Sequence, residues 1–382
     1  MKREILLTPG PVNIPNELWR YAASMHHRTD EFRAIVQDAI GSLQRLLATN
    51  AHVYLLTSSG TGAMEAAAAN FVSDDELVLV VSSGKFGDRW GEILSAQGKH
   101  FELMRLPADE RIDVDSVAAE IDSGKYGSVM LTHVESSTGT LFPLQELKSK
   151  VSNDEVLFIV DSIASIGVEE LEMDSLGLDV VVGCSQKALA SPAGVSFIAA
   201  SGRALKKASG GKKRAYYFDL TRYTDEFKVG DTPFTPAVQT FCLMHHNLKA
   251  LERIGWDNTR ERHRAIASEF VRIAEGMGFE ELSRNPSSAV QALRLPHRLE
   301  GKGFAAAVRE GTGYVVADGQ GALKGKIMRT GYLGLVGGEA VLDFVEKLAR
   351  LMATLGYDTE PAIGNEAREK FSFYKPLLSR LA

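Results

Sequence analysis

The chain has 382 residues and a formal net charge of −6, with 45% hydrophobic and 24% charged residues. This length exceeds one compact core and predicts two domains, or one large domain with an appendage, while the acidic balance argues against a nucleic-acid-binding surface. Two cysteines, Cys184 and Cys242, are too few for a disulfide framework or a CxxC metal site, and they fit a reducing compartment. Because no apolar run reaches the length of a signal peptide or a membrane span, we expect a cytoplasmic protein that binds no membrane.

The first half of the chain reads as an extended arm followed by alternating strands and helices. Proline and glycine in TPGPVNIP favour an extended arm, and Asp30 is predicted to open an amphipathic helix to about Leu47. Residues 50–205 then alternate between short apolar runs and helical segments, which is typical of a mostly parallel α/β sheet with helices on both faces. The predicted strands cover residues 52–57, 77–84, 100–106, 128–133, 156–160, 180–183 and 195–201.

From about Thr240 the pattern changes to two long amphipathic helices, then short strands and a closing helix. We therefore predict a smaller α+β domain at residues 255–382, hinged on the helix near 240–255. The segment KKASGGKKR at 206–214 is short and broken by glycine, and we interpret it as a solvated loop. The final KFSFYKPLLSRLA is expected to dock as an apolar tail.

An acid and a lysine follow two of the predicted buried strands. Asp161 comes directly after the strand at 156–160, and Lys187 lies just past the strand at 180–183. Ligands of parallel sheets bind at the carboxyl ends of the strands, so both side chains are expected to face one crevice. Such a pair suits pyridoxal phosphate, because the lysine forms the Schiff base and the acid keeps the pyridine nitrogen protonated. The alternative is that Asp161 caps a helix and Lys187 is a solvated loop residue.

Polar or aromatic turns follow three other predicted strands. The turn SSGTG at 58–62 precedes a helix and suits a phosphate, although no GK[ST] follows it as in a Walker A loop. Phe86 lies where an aromatic ring could stack on a flat cofactor. In HVESSTG, Ser136 or Thr138 could bind the phenolic oxygen of a pyridoxal ring. Each feature also has an ordinary interpretation, as a helix-initiating turn, a core aromatic or simple turn chemistry.

A later arginine and the histidines complete the set of candidates. Arg329 lies in the predicted strand GKIMRTGYLG, where it suits bidentate capture of a carboxylate or an ordinary surface ion pair. The nine histidines and the acidic residues show no metal-ligand spacing, because HRTDEF is not HExxH and His245 and His246 are adjacent on a helix. We therefore predict no metal site.

Taken in chain order, these motifs resemble class V of the fold-type I pyridoxal phosphate enzymes, specifically the alanine–glyoxylate and serine–glyoxylate aminotransferase branch. The resemblance extends over nearly the whole chain and is carried by TPGPVNIP, HHRTDEF, SSGTGAMEAA, SGKFGDRW, HVESSTGTL, VDSIASIG, GCSQKALASPAG, TPFTPAV and MRTGYLG. It implies a large domain with a mostly parallel seven-stranded sheet and a smaller C-terminal α+β domain. It also implies an arm at 1–20 that contributes to the active site and the dimer, a cofactor-binding domain at 21–254, and a homodimer.

The resemblance also implies a role for each candidate residue. Lys187 would be the Schiff-base lysine and general acid/base, and Asp161 would pair with the pyridine nitrogen. Arg329 would bind the substrate α-carboxylate, with the backbone at Gly10 closing one side of the pocket. The remaining contacts would be to the cofactor: the phosphate would be held by Ser59, Gly60, Thr61 and Gln186, and by Thr235 across the dimer interface, while Phe86 would stack on the ring and Ser136 would lie near its hydroxyl.

The implied reaction moves an amino group from alanine or serine to glyoxylate or pyruvate in a ping-pong cycle. A sister activity, 2-aminoethylphosphonate–pyruvate transamination, would need a phosphonate site. Cysteine desulfuration would need a mobile cysteine, whereas Cys184 lies in an apparent buried strand and Cys242 on a helix. A pyridoxal-fold protein without catalysis remains a further alternative. Some relatives carry a label as a small subunit of a soluble hydrogenase, which we interpret as nomenclature because the sequence offers no iron–sulfur or nickel ligands.

Overall fold

The computed structural model describes residues 4–210, 215–357 and 365–373. The α-helices are α1 (Asp30–Leu46), α2 (Gly60–Phe71), α3 (Lys85–Ala96), α4 (Val114–Ile121), α5 (Leu144–Lys150), α6 (Gly202–Gly210), α7 (Leu220–Lys228), α8 (Val238–Ile254), α9 (Trp256–Gly276), α10 (Phe304–Thr312), α11 (Gly338–Thr354) and α12 (Asn365–Phe373). The strands are β1 (Ile5–Leu6), β2 (His52–Leu56), β3 (Leu77–Ser82), β4 (His100–Arg105), β5 (Ser128–Thr132), β6 (Val134–Glu135), β7 (Thr140–Leu141), β8 (Leu157–Asp161), β9 (Val180–Cys184), β10 (Ser196–Ala200), β11 (Glu280–Glu281), β12 (Gln291–Arg294), β13 (Tyr314–Val315), β14 (Ala317–Asp318) and β15 (Ile327–Thr330).

The large sheet has seven strands in the order β2-β10-β9-β8-β5-β3-β4. All neighbours pair in parallel except β10, which is antiparallel to both β9 and β2. Every residue of β5, β8, β9 and β10 is buried, because helices cover both faces of the sheet. The prediction of a mostly parallel seven-stranded α/β sheet is therefore confirmed.

Alternate residues of each strand belong to opposite apolar cores, as the two-residue period of a strand requires. In β3, Leu79 and Val81 pack with α1, α4, α5 and α8, whereas Val78 and Val80 pack with α2 and α3. The apolar runs recognised in the sequence are thus strands buried on both sides. Their carboxyl ends lead into the turns that carry the candidate residues.

The C-terminal part has its own four-stranded antiparallel sheet, in the order β11-β12-β15-β14, and its own core with α9, α10 and α11. The N-terminal strand joins this part, because β1 pairs in parallel with β13 and Leu7 is buried in the same core. We propose the predicted boundary near residue 254 as the division between the large and small domains, with residues 1–20 as an arm. The described part of the chain contains no helix long and apolar enough to cross a bilayer.

One predicted loop is wrong in part. Residues 206–210 were expected to be a solvated loop, but they continue α6. Lys207 in this helix binds Glu76 and donates to the Ser128 hydroxyl at 3.0 Å, so tertiary contacts support a helix that its lysines and Ala208 already favour. Residues 211–214, and the predicted apolar tail beyond residue 373, lie outside the described residues.

Candidate active site

The turns after β2, β3, β5, β8 and β9 converge on one pocket with about 460 Å³ of empty space, part of it open to solvent. Most of the residues predicted for a cofactor site meet here, although they come from well-separated parts of the chain. The pocket is lined by Ser59, Gly60, Thr61, Phe86, Arg89, Val134, Ser136, Asp161, Ile163, Ala164, Gln186 and Lys187.

Asp161 is the last residue of β8 and is buried. The backbone N–H of Ile163 donates to its Oδ1 at 2.7 Å, and no ion pair to Asp161 occurs among the described residues. Burial raises the pKa of Asp161 to about 7, with a further contribution from the negative charge of Glu135. The carboxyl group is thus held in the pocket with acceptor capacity to spare. A ligand that carries a positively charged N–H group would satisfy it.

Lys187 follows β9, and its ammonium donates a hydrogen bond to the carbonyl oxygen of Pro9. Burial lowers the pKa of Lys187, which makes the neutral, nucleophilic amine more accessible. The N-terminal arm closes over this side chain at Gly10, where φ is +119°. A Cβ atom at position 10 would lie 2.6 Å from Lys187 Cδ, so only glycine leaves room for the lysine.

The SSGTG turn leads into α2, which begins at Gly60. The side chain of Ser59 makes no capping hydrogen bond, so the first turn of this helix lacks the usual side-chain partner. A Cβ atom at Gly60 would lie 2.5 Å from Ile163 Cδ1, which shows how closely the turn packs beneath the loop after Asp161. The partial positive charge of a helix N-terminus favours an anion at this position.

Arg89 lies on α3 and contacts the SSGTG turn, but it escaped the sequence prediction. Its Nη1 donates to the hydroxyl of Thr61 at 3.0 Å, and its Cζ lies 4.5 Å from the centre of the Phe86 ring. The available signal was spacing, because Arg89 follows Phe86 by three residues on α3 and therefore shares its face. The structure thus adds a cation to a site that had been predicted with neutral phosphate contacts.

Glu135 also escaped the sequence prediction, although it stands inside the recognised VESSTG turn. Its buried carboxylate accepts hydrogen bonds from the backbone N–H groups of Phe86 at 2.9 Å and Gly87 at 2.8 Å. The backbone N–H and the hydroxyl of Ser137 donate to its other oxygen at 2.9 and 2.6 Å. Burial raises the pKa of Glu135, against the effect of these donors. This carboxylate therefore ties the start of α3, and with it Phe86, to the turn.

The two hydroxyls predicted in this turn are placed differently. Ser136 lines the pocket. The hydroxyl of Thr138 instead lies 2.9 Å from that of Thr140 and donates to the carbonyl of Ser83 at 3.2 Å, and Thr138 is not among the lining residues. Ser136 is therefore the better placed of the two for a ring hydroxyl.

Arg329 lies in β15 and is buried. Its Nε and Nη2 donate to the carbonyl of Asp318 at 2.9 and 2.8 Å, and Nη1 donates to the carbonyl of Ser136 at 2.8 Å. Burial lowers the pKa of this guanidinium, and no carboxylate pairs with it among the described residues. Arg329 does not line the pocket itself but is bonded to Ser136, which does. A buried cation held only by carbonyl groups suits an incoming carboxylate.

Thr235 is exposed, in the segment between α7 and α8, and does not line the pocket of its own chain. Its predicted role concerns a pocket completed by a second subunit, and it stays a prediction. In the described residues, no group of three or more His, Cys, Asp or Glu side chains is arranged to hold a metal ion.

The pocket fits pyridoxal phosphate. A lysine amine whose pKa is lowered by burial, a buried carboxyl group, an aromatic ring and a helix N-terminus match the aldehyde, the pyridine nitrogen, the ring face and the phosphate respectively. Gln186 supplies an independent sign, because its buried Oε1 has no hydrogen-bond partner among the described residues. Buried polar atoms are rarely left unpaired, so a ligand is expected there, and rotation of the amide would turn its Nε2 donor towards a phosphate.

Three comparisons with known proteins agree with this geometry. The family model described as aminotransferase class-V matches residues 17–293. The soluble hydrogenase small subunit of Synechococcus is 31% identical over 93% of this chain and 94% of that protein. Alanine–glyoxylate aminotransferase 1 of Saccharomyces cerevisiae is 29% identical over 75% of this chain and 80% of that protein. The solved structure of a subgroup IV aspartate aminotransferase from Thermus thermophilus is 30% identical, with a TM-score of 0.85 over 92% of this chain and 99% of that chain.

Proposed function

The chain belongs to the class V aminotransferase family, and from this premise we propose that it moves an amino group from alanine or serine to glyoxylate or pyruvate in a ping-pong cycle. It is an aminotransferase, and its cofactor is pyridoxal 5′-phosphate. The observation that carries the proposal is that Lys187 and Asp161 face one pocket, with the arm at Gly10 closed over the lysine. The name of the yeast relative supports the choice of donor and acceptor.

Lys187 and Asp161 are proposed as the catalytic pair. Pyridoxal phosphate supplies an electron sink that stabilises negative charge on the substrate α-carbon. Lys187 would hold the cofactor through Nζ and would take up and return the substrate α-proton. Asp161 would hold a proton on the pyridine nitrogen, because among the described residues its carboxylate accepts a hydrogen bond only from the backbone N–H of Ile163.

The other pocket residues bind and orient. Phe86 is proposed to stack on the cofactor ring, and Ser136 to bind the ring hydroxyl. Arg329 is proposed to bind the substrate α-carboxylate, because its guanidinium is buried and meets no acidic partner among the described residues. The phosphate contacts are proposed to come from Ser59, Gly60, Thr61 and Gln186, and from Thr235 of a second subunit in a cytoplasmic homodimer.

The cysteines favour amino transfer over cysteine desulfuration. Cys184 lies within β9, and burial raises the pKa of its thiol to about 12, so the reactive thiolate is strongly disfavoured. Cys242 is buried in α8, and burial raises its pKa also. Neither thiol has the exposure that a mobile catalytic cysteine requires.

A half-reaction screen tests the proposed function. The purified protein is expected to show the visible absorbance of lysine-bound pyridoxal phosphate, and borohydride should fix the cofactor on Lys187. Amino acids are then added singly, and each donor should bleach the band until a 2-oxo acid restores it. Recovery of the label on another lysine would overturn the site assignment. If no amino acid bleaches the band, the chain is a binding protein with an aminotransferase fold.

A further inference from the structure

We propose that Arg89 binds the cofactor phosphate from within the same chain and supplies the positive charge of that subsite. This inference rests on the proposed function, since it requires pyridoxal phosphate to occupy the pocket beside Lys187. It adds to the site a residue that neither the motifs nor the family resemblance brought forward.

The position of Arg89 beside the start of α2 is the first reason to assign it to the phosphate. Its Nη1 donates to the hydroxyl of Thr61, the second residue of α2, at 3.0 Å. The N-terminus of α2 is where the pocket favours an anion, so the guanidinium stands at the rim of that subsite. The stacked ring of Phe86, 4.5 Å from Arg89 Cζ, holds the plane of the guanidinium in place. Its Nε and Nη2 make no hydrogen bond to the described residues, so donors remain for a ligand.

The negative charge of the phosphate is the second reason to assign Arg89 to it. A phosphate ester bears between one and two negative charges near neutral pH. The other proposed phosphate partners are hydroxyls, backbone N–H groups and the amide of Gln186, all of them neutral. Lys187 is committed to the cofactor aldehyde, and Arg329 is bonded to carbonyls near Ser136. Without Arg89 the anion would depend on these neutral donors and the helix dipole alone.

The third reason is that no acidic side chain among the described residues forms an ion pair with Arg89, although Asp88 is its neighbour in sequence. Asp88 instead accepts from the Ser82 hydroxyl at 2.8 Å and lies 3.5 Å from Arg105. A half-buried arginine that is fixed by a ring and a hydroxyl, yet lacks an acid, is suited to an external anion.

The experiment compares pyridoxal phosphate with pyridoxal, which lacks the phosphate. The apoenzyme is titrated with each compound, and the dissociation constant is read from the visible band and from tryptophan fluorescence. Arg89→Gln is expected to weaken binding of pyridoxal phosphate about tenfold to one hundredfold and to leave binding of pyridoxal within about twofold. Arg89→Lys keeps the charge but loses the fork of donors, so its defect should be intermediate.

Arg105→Gln is the matched control, since Arg105 is an exposed arginine paired with Asp88 outside the pocket. A second measurement needs no variant. In wild-type apoenzyme, inorganic phosphate should protect Arg89, but not Arg105, from modification by phenylglyoxal, as judged by peptide mapping.

Three outcomes would overturn the inference. Equal weakening of pyridoxal phosphate and pyridoxal would mean that Arg89 acts through Phe86. Unchanged cofactor binding, with a raised KM for the amino donor, would mean that Arg89 binds the substrate. Labelling of Arg89 unaffected by phosphate would remove the anion contact altogether. Failure of the proposed function looks different, because wild-type protein would then either bind pyridoxal phosphate that no amino acid bleaches or attach neither compound to Lys187.

Discussion

Two buried carboxyl groups lie at neighbouring strand ends of this pocket, and they differ in how many hydrogen bonds they accept from the protein. Glu135 accepts four hydrogen bonds, from Phe86, Gly87 and both donors of Ser137. Asp161 accepts one, from the backbone N–H of Ile163. Burial raises the pKa of both groups. The difference indicates that Glu135 is committed to holding the fold, whereas Asp161 is kept at a cost in stability for a ligand that is not part of the chain.

The largest expected effect is the loss of catalysis in Asp161→Asn. The amide cannot hold a proton on the pyridine nitrogen as an acid does, so kcat should fall about a thousandfold. Asparagine can still accept the hydrogen bond from Ile163, so the free energy of unfolding of the apoprotein should not decrease. Single-turnover kinetics and thermal unfolding measure the two quantities. If Asp161→Asn instead loses stability and keeps its kcat, then Asp161 holds the fold and does not serve a ligand.

The pH dependence of apoprotein stability should separate the two groups further. Burial raises the pKa of Asp161 from 3.8 to about 7, so the folded chain keeps a proton that the unfolded chain releases. The contribution of Asp161 to the free energy of unfolding is therefore greatest below about pH 4. It falls as the pH rises towards 7, by at most about 1.4 kcal/mol per pH unit.

Urea titrations at several pH values measure this slope, with Asp161→Asn as the comparison. The difference between wild type and variant should grow in favour of the variant from about pH 4 to about pH 7 and then become constant. A difference that does not change with pH would show that Asp161 titrates normally.

Glu135→Gln should have the opposite phenotype to Asp161→Asn. The amide has a single oxygen, so either the donors at the start of α3 or those of Ser137 lose their acceptor. We expect the free energy of unfolding to fall by about 2 kcal/mol, with a smaller loss of kcat. Chemical denaturation measures the change. Glu281→Gln is a suitable control, because burial also raises the pKa of that carboxyl while it lies in the small sheet. A stability loss confined to the control would contradict the role given to Glu135.

The smallest expected effect tests whether Glu135 acts through Phe86. Phe86→Leu removes the ring but leaves its backbone N–H on Glu135, so cofactor binding should weaken about tenfold while stability changes less than in Glu135→Gln. Titration of the apoenzyme with pyridoxal phosphate measures the dissociation constant. If Phe86→Leu binds the cofactor as well as wild type, the ring does not stack on it.

The sheet and the main candidate residues were predictable because their signals are local. A continuous apolar run such as Leu157–Asp161 identifies a strand buried on both faces, and the residue at its end follows directly. Parallel pairing then brings the strand ends together, so Asp161, Lys187 and the SSGTG turn could be placed at one edge without knowing the packing.

The rest depends on contacts between distant segments. Glu135 meets the start of α3 only when β5 and β3 are adjacent, and its partners there are backbone groups that leave no trace in the sequence. Arg89 on α3 reaches Thr61 on α2, and these residues are far apart in the sequence. The helix at residues 206–210 is supported by the contact of Lys207 with Glu76. Thr235 and the domain boundaries remain predictions, the first because its role involves a second subunit.

The N-terminal arm determines when during synthesis the pocket can be completed. Ile5 pairs with Tyr314, Leu7 donates to Val315 at 2.8 Å, and a few residues later Gly10 lies against Lys187. Residues 5–10 therefore wait for a strand that is translated much later, and this contact closes a very long loop. A nascent chain with the large sheet already folded would still have an open lysine. Cofactor loading before the arm docks is thus sterically allowed, and the arm can close afterwards over the attached group.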